Sequence, residues 1–495
     1  MVFSSMLFLW LFFPIVIGGN FLLGLLPLTN EKKICVKNIF LLVASLAFYA
    51  WGGIYYVFIM VGSILLNYTA GRILEEKCSS KGQRKMTVAI AVVLNLLLLF
   101  YFKYFNMFIL VIEAITEEGS SLHSIIAHMS RMTRTGAILV KEVVLPIGIS
   151  FFTFQSMSYV IDVYRGKAPL QKNILYFGLY VALFPQLIAG PIVKYNEVAK
   201  DINERKESLE LFFSGQKRFA YGLAKKVLLA NTFGKASVLI WSLDFNSLGP
   251  AMAWFGIFVY ALQIYYDFSG YSDMAIGIGR MLGFHFQENF NYPFTATSIR
   301  DLWRRWHISL NTWFTEYVYI PLGGNRKGKV RTYINLLLVF LLTGMWHGAN
   351  FTFIAWGMYH GILLVLERLW FGKILDKNPV KPLNVIWVFF NFCVSLVFFR
   401  ADNFADAKFY LGQMFSHSEA KYSFATVLNM ELIVALIFGV LFCGVVQRPL
   451  AKIWKRAAQN RAVQVLDVTL QLVLVAYSIF VLVCGSFNPF LYFRF

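Results

Sequence analysis

Two histidines carry the clearest chemical signal in this sequence. His307 lies in the run WRRWHISL at 303–310, and His347 lies in the run GMWHGAN at 344–350. An imidazole among apolar residues can bind a metal, pass protons or act as a general base. A zinc site needs at least three protein ligands, and neither cysteine nor carboxylate stands at a ligand spacing from His347. We therefore expect no metal.

The other two chemistries remain open on the residues alone. A proton relay would recruit carboxylates within the membrane, and Asp267 and Asp273 could supply them. A general base needs only a hydroxyl substrate within hydrogen-bond distance. Both alternatives require His347 to point into a protein interior.

The spacing around His307 predicts a polar helix face. Arg300, Arg304, His307 and Asn311 follow one another at intervals of four, three and four residues, which places them on one side of a helix. Trp303 and Trp306 would flank this side. Such a face suits a site that holds a polar substrate away from water.

Two small residues frame His347 on the next apolar run. Gly344 and Gly348 stand four residues apart, and this spacing allows a neighbouring helix to approach closely. We therefore predict that His347 faces a tightly packed interior.

The elements that position these residues are predicted to be membrane helices. The chain has 495 residues, 58% of them hydrophobic and only 14% charged. We predict an all-α polytopic membrane protein with about eleven transmembrane helices plus short or re-entrant ones, because a span needs roughly 20 apolar residues. We expect residues 1–495 to form one integral-membrane domain with a catalytic core at about 140–370. The apolar runs are 4–26, 39–50, 55–68, 88–102, 143–160, 174–192, 251–266, 334–345, 351–369, 385–399, 432–446 and 470–483.

The positive charge fits membrane topology better than a nucleic-acid partner. The formal net charge is +19, and lysine and arginine collect in short loops such as 77–85 and 326–331, as the positive-inside rule requires. A polar stretch at 112–141 has the pattern of an amphipathic surface helix.

Further motifs add a family resemblance. The chain contains FPQLIAGPI at 184–192, YYDFSGYSDMAIG at 265–277, YIPLGGNRKG at 319–328 and NPFLYFRF at 488–495. Together with the two histidine runs, these resemble the membrane-bound O-acyltransferase (MBOAT) superfamily, in particular its bacterial alginate O-acetyltransferase branch. The D-alanine transferases of teichoic acid synthesis are similar too. The resemblance runs from about Tyr49 to the C-terminus.

The resemblance implies helices around a central tunnel, a catalytic histidine at His347, an acyl thioester donor on the cytosolic side and an acceptor outside. We expect an O-acetyltransferase of the bacterial cytoplasmic (inner) membrane that uses acetyl-CoA and modifies an extracytoplasmic polysaccharide, with an esterase-like protein as a possible acetyl-accepting partner. His347 would be the general base, and His307 would orient the substrate. The residues expected to bind substrate or line the tunnel are Arg304, Asn311, Trp303, Trp306, Trp346, Asp267 and Asp273.

Two alternatives remain. One is a D-alanyl or other acyl transferase of the same fold. The other, from a different class, is a polytopic transporter, although the two halves of the chain show no inverted repeat of the kind many transporters have.

The C-terminal segment offers one nucleophilic hydroxyl, on Tyr492. Tyr492 could accept the acetyl group and pass it onward, provided that a base activates its phenol. Alternatively, Phe490, Tyr492 and Phe493 anchor the segment in the aromatic belt at the membrane interface.

Overall fold

The computed structural model describes residues 2–118, 145–188, 190–457, 459–485 and 487–489. These ranges are mainly helical and contain no β-strand, which agrees with the predicted all-α class. Most of the predicted surface helix at 112–141 and all of Tyr492 lie outside the described residues.

The α-helices are labelled in chain order. They are α1 (Phe13–Gly24), α2 (Asn30–Ala50), α3 (Ile54–Glu76), α4 (Lys81–Leu99), α5 (Phe105–Glu118), α6 (Ile149–Tyr164), α7 (Ile174–Ala182), α8 (Phe184–Leu187), α9 (Tyr195–Glu204), α10 (Leu209–Ala224), α11 (Asn231–Ser242), α12 (Pro250–Met281), α13 (Ile299–Arg305), α14 (Ile308–Phe314), α15 (Lys329–His347), α16 (Phe351–Leu366), α17 (Gly372–Lys377), α18 (Lys381–Arg400), α19 (Phe404–Met414), α20 (Met430–Val440), α21 (Gln447–Ala457) and α22 (Arg461–Cys484).

Several helices are joined by single π-helical turns, which are frequent at functional sites. One of them, Phe100–Tyr104, links α4 to α5. The described π-helical turns are Phe8–Phe12, Phe100–Tyr104, Lys225–Ala230, Thr315–Tyr319, Glu367–Phe371 and Leu441–Val445. Short 3₁₀ turns occur at Phe245–Ser247, Pro293–Thr295 and Phe424–Thr426.

Within the described chain, five helices are long and apolar enough to cross a membrane: α2, α3, α4 with its continuation to Ile109, α18 and α22. Two shorter apolar helices are Phe8–Gly24 and Met430–Val445. The total of about eleven spans therefore stays a prediction.

One predicted span is broken. The apolar run 174–192 divides into α7 and α8, because Leu183 leaves the helical conformation at ψ 111°. Pro185 then stands in the first turn of α8, where a missing N–H costs no helix bond. The break thus lies directly before the FPQLIAGPI motif at 184–192.

The antiparallel pair α15 and α16 forms the wall that carries His347. A Cβ atom at Gly344 would lie 2.4 Å from the carbonyl oxygen of Phe353, and one at Gly357 would lie 2.3 Å from that of Phe340. The predicted close approach is confirmed at Gly344. Its partner is Gly357 on α16; Gly348 already lies beyond the end of α15.

The length of α15 fixes the depth of His347. The helix begins at Lys329, inside the exposed basic loop at 326–331, and ends at His347. Its 19 residues rise about 28 Å at 1.5 Å per residue. His347 is therefore far from this loop, towards the other end of the helix bundle.

The close contact predicts that Gly344→Ala destabilises the protein by about 1–3 kcal/mol through overpacking. Gly62→Ala is the matched control, because Gly62 also lies inside a helix and a Cβ there would meet nothing within 4 Å. Thermal unfolding midpoints in detergent compare the two variants. Equal midpoints would show that the Gly344 contact does not limit packing.

Candidate active site

His307 is held by a buried polar cluster. Its Nδ1 lies 3.2 Å from Oδ1 of Asn289, which also accepts a hydrogen bond of 2.9 Å from the Ser309 hydroxyl. The Asn289 amide nitrogen in turn donates to the Ser272 hydroxyl at 3.1 Å. Because Asn289 Oδ1 is an acceptor, Nδ1 carries the proton and Nε2 bears the lone pair. Nε2 is buried without a hydrogen-bond partner among the described residues.

The predicted continuous helix through His307 is wrong. His307 has left-handed backbone angles, φ 46° and ψ 54°, and separates α13 from α14. The cause is a competing backbone partner: the Ile308 amide donates to the Asn289 carbonyl at 3.0 Å instead of continuing the helical ladder. Non-glycine residues in this conformation are uncommon and concentrate at functional sites.

This break also removes the predicted polar face. His307 is buried, whereas Arg300 and Arg304 are exposed and Asn311 is half-buried. The arginines therefore do not share the surroundings of His307.

The two flanking tryptophans pack against other aromatic rings in the described structure. Trp303 lies edge-on to His360, with ring centroids 4.9 Å apart. Trp306 packs against Phe290 at 5.2 Å and Phe392 at 5.1 Å. Neither is among the described residues that line the cavity beside His347.

His347 is the last residue of α15 and is enclosed by aromatic rings. Its imidazole lies edge-on to Trp356 at 5.0 Å and to Phe399 at 5.2 Å. Trp346 connects the two histidines, since its ring centroid is 5.0 Å from that of His347 and 5.8 Å from that of His307. The structure thus brings together the two histidines and Trp346.

A cavity of about 270 Å³ opens beside His347. His307 contacts the Trp346 ring but is not among the described residues that line the cavity. The cavity is large enough for a small acyl group, and it offers two side chains that can ionise, His347 and Lys103. The described lining residues are Lys103, Leu145, Pro146, Ile147, Gly148, Ile149, Ser150, Phe151, Ile188, Trp346 and His347.

Sequence analysis did not single out Lys103, Tyr104 or Asn289. Lys103 Nζ donates to the carbonyl of Trp346, and the Tyr104 hydroxyl donates to that of Met345 at 2.6 Å. A lysine within an apolar span was a usable signal for Lys103. The contact of Asn289 with His307 depends on the chain reversal between them, so residue spacing could not reveal it.

The two candidate carboxylates are in ion pairs. Asp267 pairs with Lys226 at 2.5 Å, and Asp273 pairs with Arg218 and Lys225, each at 2.6 Å. In the described structure, both carboxylates are therefore neutralised by basic side chains. No cluster of three His, Cys, Asp or Glu side chains suitable for a metal occurs in the described ranges.

The segment before Tyr492 is anchored. Asn488 donates to the Ser4 carbonyl at 3.0 Å and accepts from the Asn231 amide at 3.2 Å. Lys226, the partner of Asp267, donates to the carbonyl of Pro489. The last described residues are therefore tied to a buried polar group.

Comparison with known proteins decides the family. Residues 89–405 match the membrane-bound O-acyltransferase (MBOAT) family. The chain belongs to this family. It is thus a multi-pass membrane protein and an O-acyltransferase, and the transporter alternative is set aside.

Similar proteins cover most of the chain. It is 40% identical to the probable alginate O-acetylase AlgI of Pseudomonas putida, over 100% of both chains. It is 35% identical to the peptidoglycan O-acetyltransferase of Helicobacter pylori, over 82% of this chain and 78% of that one. A teichoic acid D-alanyltransferase of Bacillus subtilis is 30% identical over 48% of this chain and 62% of its own length.

We predict that His307→Ala lowers acyl transfer at least about tenfold, within the range of general acid–base effects. Asn289→Ala also lowers acyl transfer, because His307 loses its orienting partner. Asn311→Ala is the control, since Asn311 is half-buried one turn later. Initial rates, normalised to folded protein, measure all three. A larger loss of activity in Asn311→Ala than in His307→Ala would show that Asn311, and not His307, is the more important residue.

Proposed function

We propose that this MBOAT enzyme moves an acetyl group from cytosolic acetyl-CoA across the bacterial inner membrane for O-acetylation of an extracytoplasmic polysaccharide. The main structural support for this proposal is the position of His347, a buried titratable residue that lines a cavity at the end of α15. The names of the similar proteins support acetyl as the acyl group and an envelope polysaccharide as the acceptor.

In the proposed reaction, His347 acts as the general base. The imidazole takes the proton of an acceptor hydroxyl while the hydroxyl oxygen attacks the thioester carbonyl carbon. The carbon–sulfur bond then breaks, and the leaving thiolate takes the proton from the imidazolium. The aromatic rings of Trp356 and Phe399 exclude water from one side of His347 and limit hydrolysis.

His307 has a supporting role in this scheme. Asn289 holds its Nδ1, so that the lone pair of Nε2 is available as an acceptor. Trp346 separates its ring from that of His347. We propose that His307 orients substrate or stabilises charge, and that the main catalytic core extends over about 140–370, with Lys103 reaching its cavity from outside this range.

The acetyl group leaves the enzyme on an extracytoplasmic polysaccharide or on an esterase-like partner protein that carries it to the polysaccharide. D-Alanyl transfer is the second candidate, favoured by the similarity to the teichoic acid D-alanyltransferase over about half of the chain. Competition between acetyl and D-alanyl thioester donors in purified protein separates the two functions.

The proposal predicts that His347→Ala lowers acetyl transfer by about 10²–10⁴-fold, the usual effect of removing a general base, while the protein still folds. His360→Asn is the matched control: His360 is also buried, but it packs on Trp303 and bonds the Ser395 hydroxyl at 3.0 Å. The amount of ester-bound acetate on the polysaccharide measures activity. The elution profile in size-exclusion chromatography shows whether each variant is folded. A His347→Ala enzyme of near-normal activity would refute this role.

We also propose that Tyr492 relays the acetyl group. The Asn488 and Pro489 contacts support this, because they fix the chain shortly before Tyr492. The relay predicts that Tyr492→Phe is as inactive as His347→Ala and that the wild type carries a trappable acetyl ester on Tyr492. Tyr477→Phe, on the exposed face of α22, is the control. An active Tyr492→Phe enzyme would leave the interfacial anchor as the role of this segment.

A further inference from the structure

A positive charge enters the His347 cavity from a helix distant in sequence. Lys103 lies on the π-helical turn Phe100–Tyr104, within the apolar span Lys81–Ile109. Charged residues at bilayer depth are costly and usually functional. A π-helical turn changes the direction in which side chains leave the helix, and this one directs Lys103 and Tyr104 to the end of α15.

The described contacts of Lys103 leave one N–H donor of its ammonium group available. Nζ donates to the Trp346 carbonyl and lies 3.5 Å from the Ser150 hydroxyl, while the ammonium stands 5.7 Å from the Trp346 ring centroid. An ammonium group has three N–H donors. Among the described residues no carboxylate forms an ion pair with it, so a donor remains for a molecule in the cavity.

We propose that Lys103 is a catalytic residue that donates a hydrogen bond to the thioester carbonyl oxygen of the acyl donor. This inference rests on the proposed function. Lys103 and His347 both line the cavity, so a carbonyl group placed there meets a cation on its oxygen and a base beside the attacking hydroxyl. A preorganised donor in a water-poor site is worth more than the same donor in water.

The charge acts at one step. When the hydroxyl oxygen bonds to the carbonyl carbon, the carbonyl π electrons move to the oxygen, and the hydroxyl proton moves to His347. The Lys103 ammonium stabilises this oxyanion and keeps its own protons. Collapse re-forms the carbonyl, breaks the carbon–sulfur bond and releases the thiolate, which takes the proton from His347.

A purely structural role for Lys103 is the competing explanation. Cations and donors near a helix C-terminus satisfy its last carbonyl groups, and Lys103 does this at Trp346. Tyr104 does the same at Met345 without a charge, and it is not among the described residues that line the cavity. The neighbouring tyrosine therefore provides a matched comparison.

The test compares full-length Lys103→Gln, Lys103→Met, Lys103→Arg and Tyr104→Phe. Gln keeps a donor for the Trp346 carbonyl but lacks the charge, and Arg keeps the charge. We measure ester-bound acetate on the polysaccharide of complemented deletion cells, kcat and KM for acetyl-CoA by release of CoA thiol from detergent-purified protein, and the thermal midpoint.

We expect Gln and Met to lower kcat by about 10²-fold, as loss of one oxyanion donor does, with KM for acetyl-CoA changed less than threefold. Arg restores part of kcat, and Tyr104→Phe lowers the thermal midpoint but keeps most of kcat. A Lys103→Gln enzyme with wild-type kcat overturns the inference, as does a Tyr104→Phe enzyme that loses as much kcat. His347→Ala, run alongside, separates the two proposals, because its full activity would refute the proposed function itself.

Discussion

Hydrogen bonds satisfy the last carbonyl groups of α15, at the helix end that carries His347. The Tyr104 hydroxyl satisfies the carbonyl of Met345, and the Lys103 ammonium satisfies that of Trp346. Unsatisfied backbone groups are costly in an apolar interior, so this pair of donors lets a helix end inside a packed bundle. The Gly344 contact with α16 holds the same helix end from the other side. The π-helical turn Phe100–Tyr104 brings the Lys103 cation to the cavity that the His347 imidazole also lines.

The two histidines have different surroundings. His347 lines the cavity and is enclosed by aromatic edges, which suits a proton acceptor next to a small acyl group. His307 is fixed by Asn289 and by its own left-handed backbone, which suits a residue of constant orientation. The Trp346 indole contacts both imidazoles. This division of roles agrees with a base assisted by an orienting group.

The sequence predicted those features that depend on local pattern. Apolar runs predicted the membrane helices, the small-residue spacing predicted the tight packing at Gly344, and the histidine motifs predicted the MBOAT family, which the comparisons confirm. The predicted helix face at His307 was wrong, since the pattern could not show that Asn289 takes the backbone bond that would have continued the helix. A lysine within an apolar span marks Lys103 as unusual, but its contact with Trp346 joins residues 243 positions apart, and hydrophobic periodicity carries no information about such contacts.

We propose that the acyl group is transferred in the cavity between Lys103 and His347. The most direct measurement is a structure of the full-length protein with a ketone analogue of acetyl-CoA, in which a methylene group replaces the sulfur and prevents transfer. We predict that the analogue's carbonyl oxygen lies within hydrogen-bond distance of Lys103 Nζ and that its carbonyl carbon faces His347. An analogue bound with its acetyl end outside this cavity would contradict transfer between these two residues.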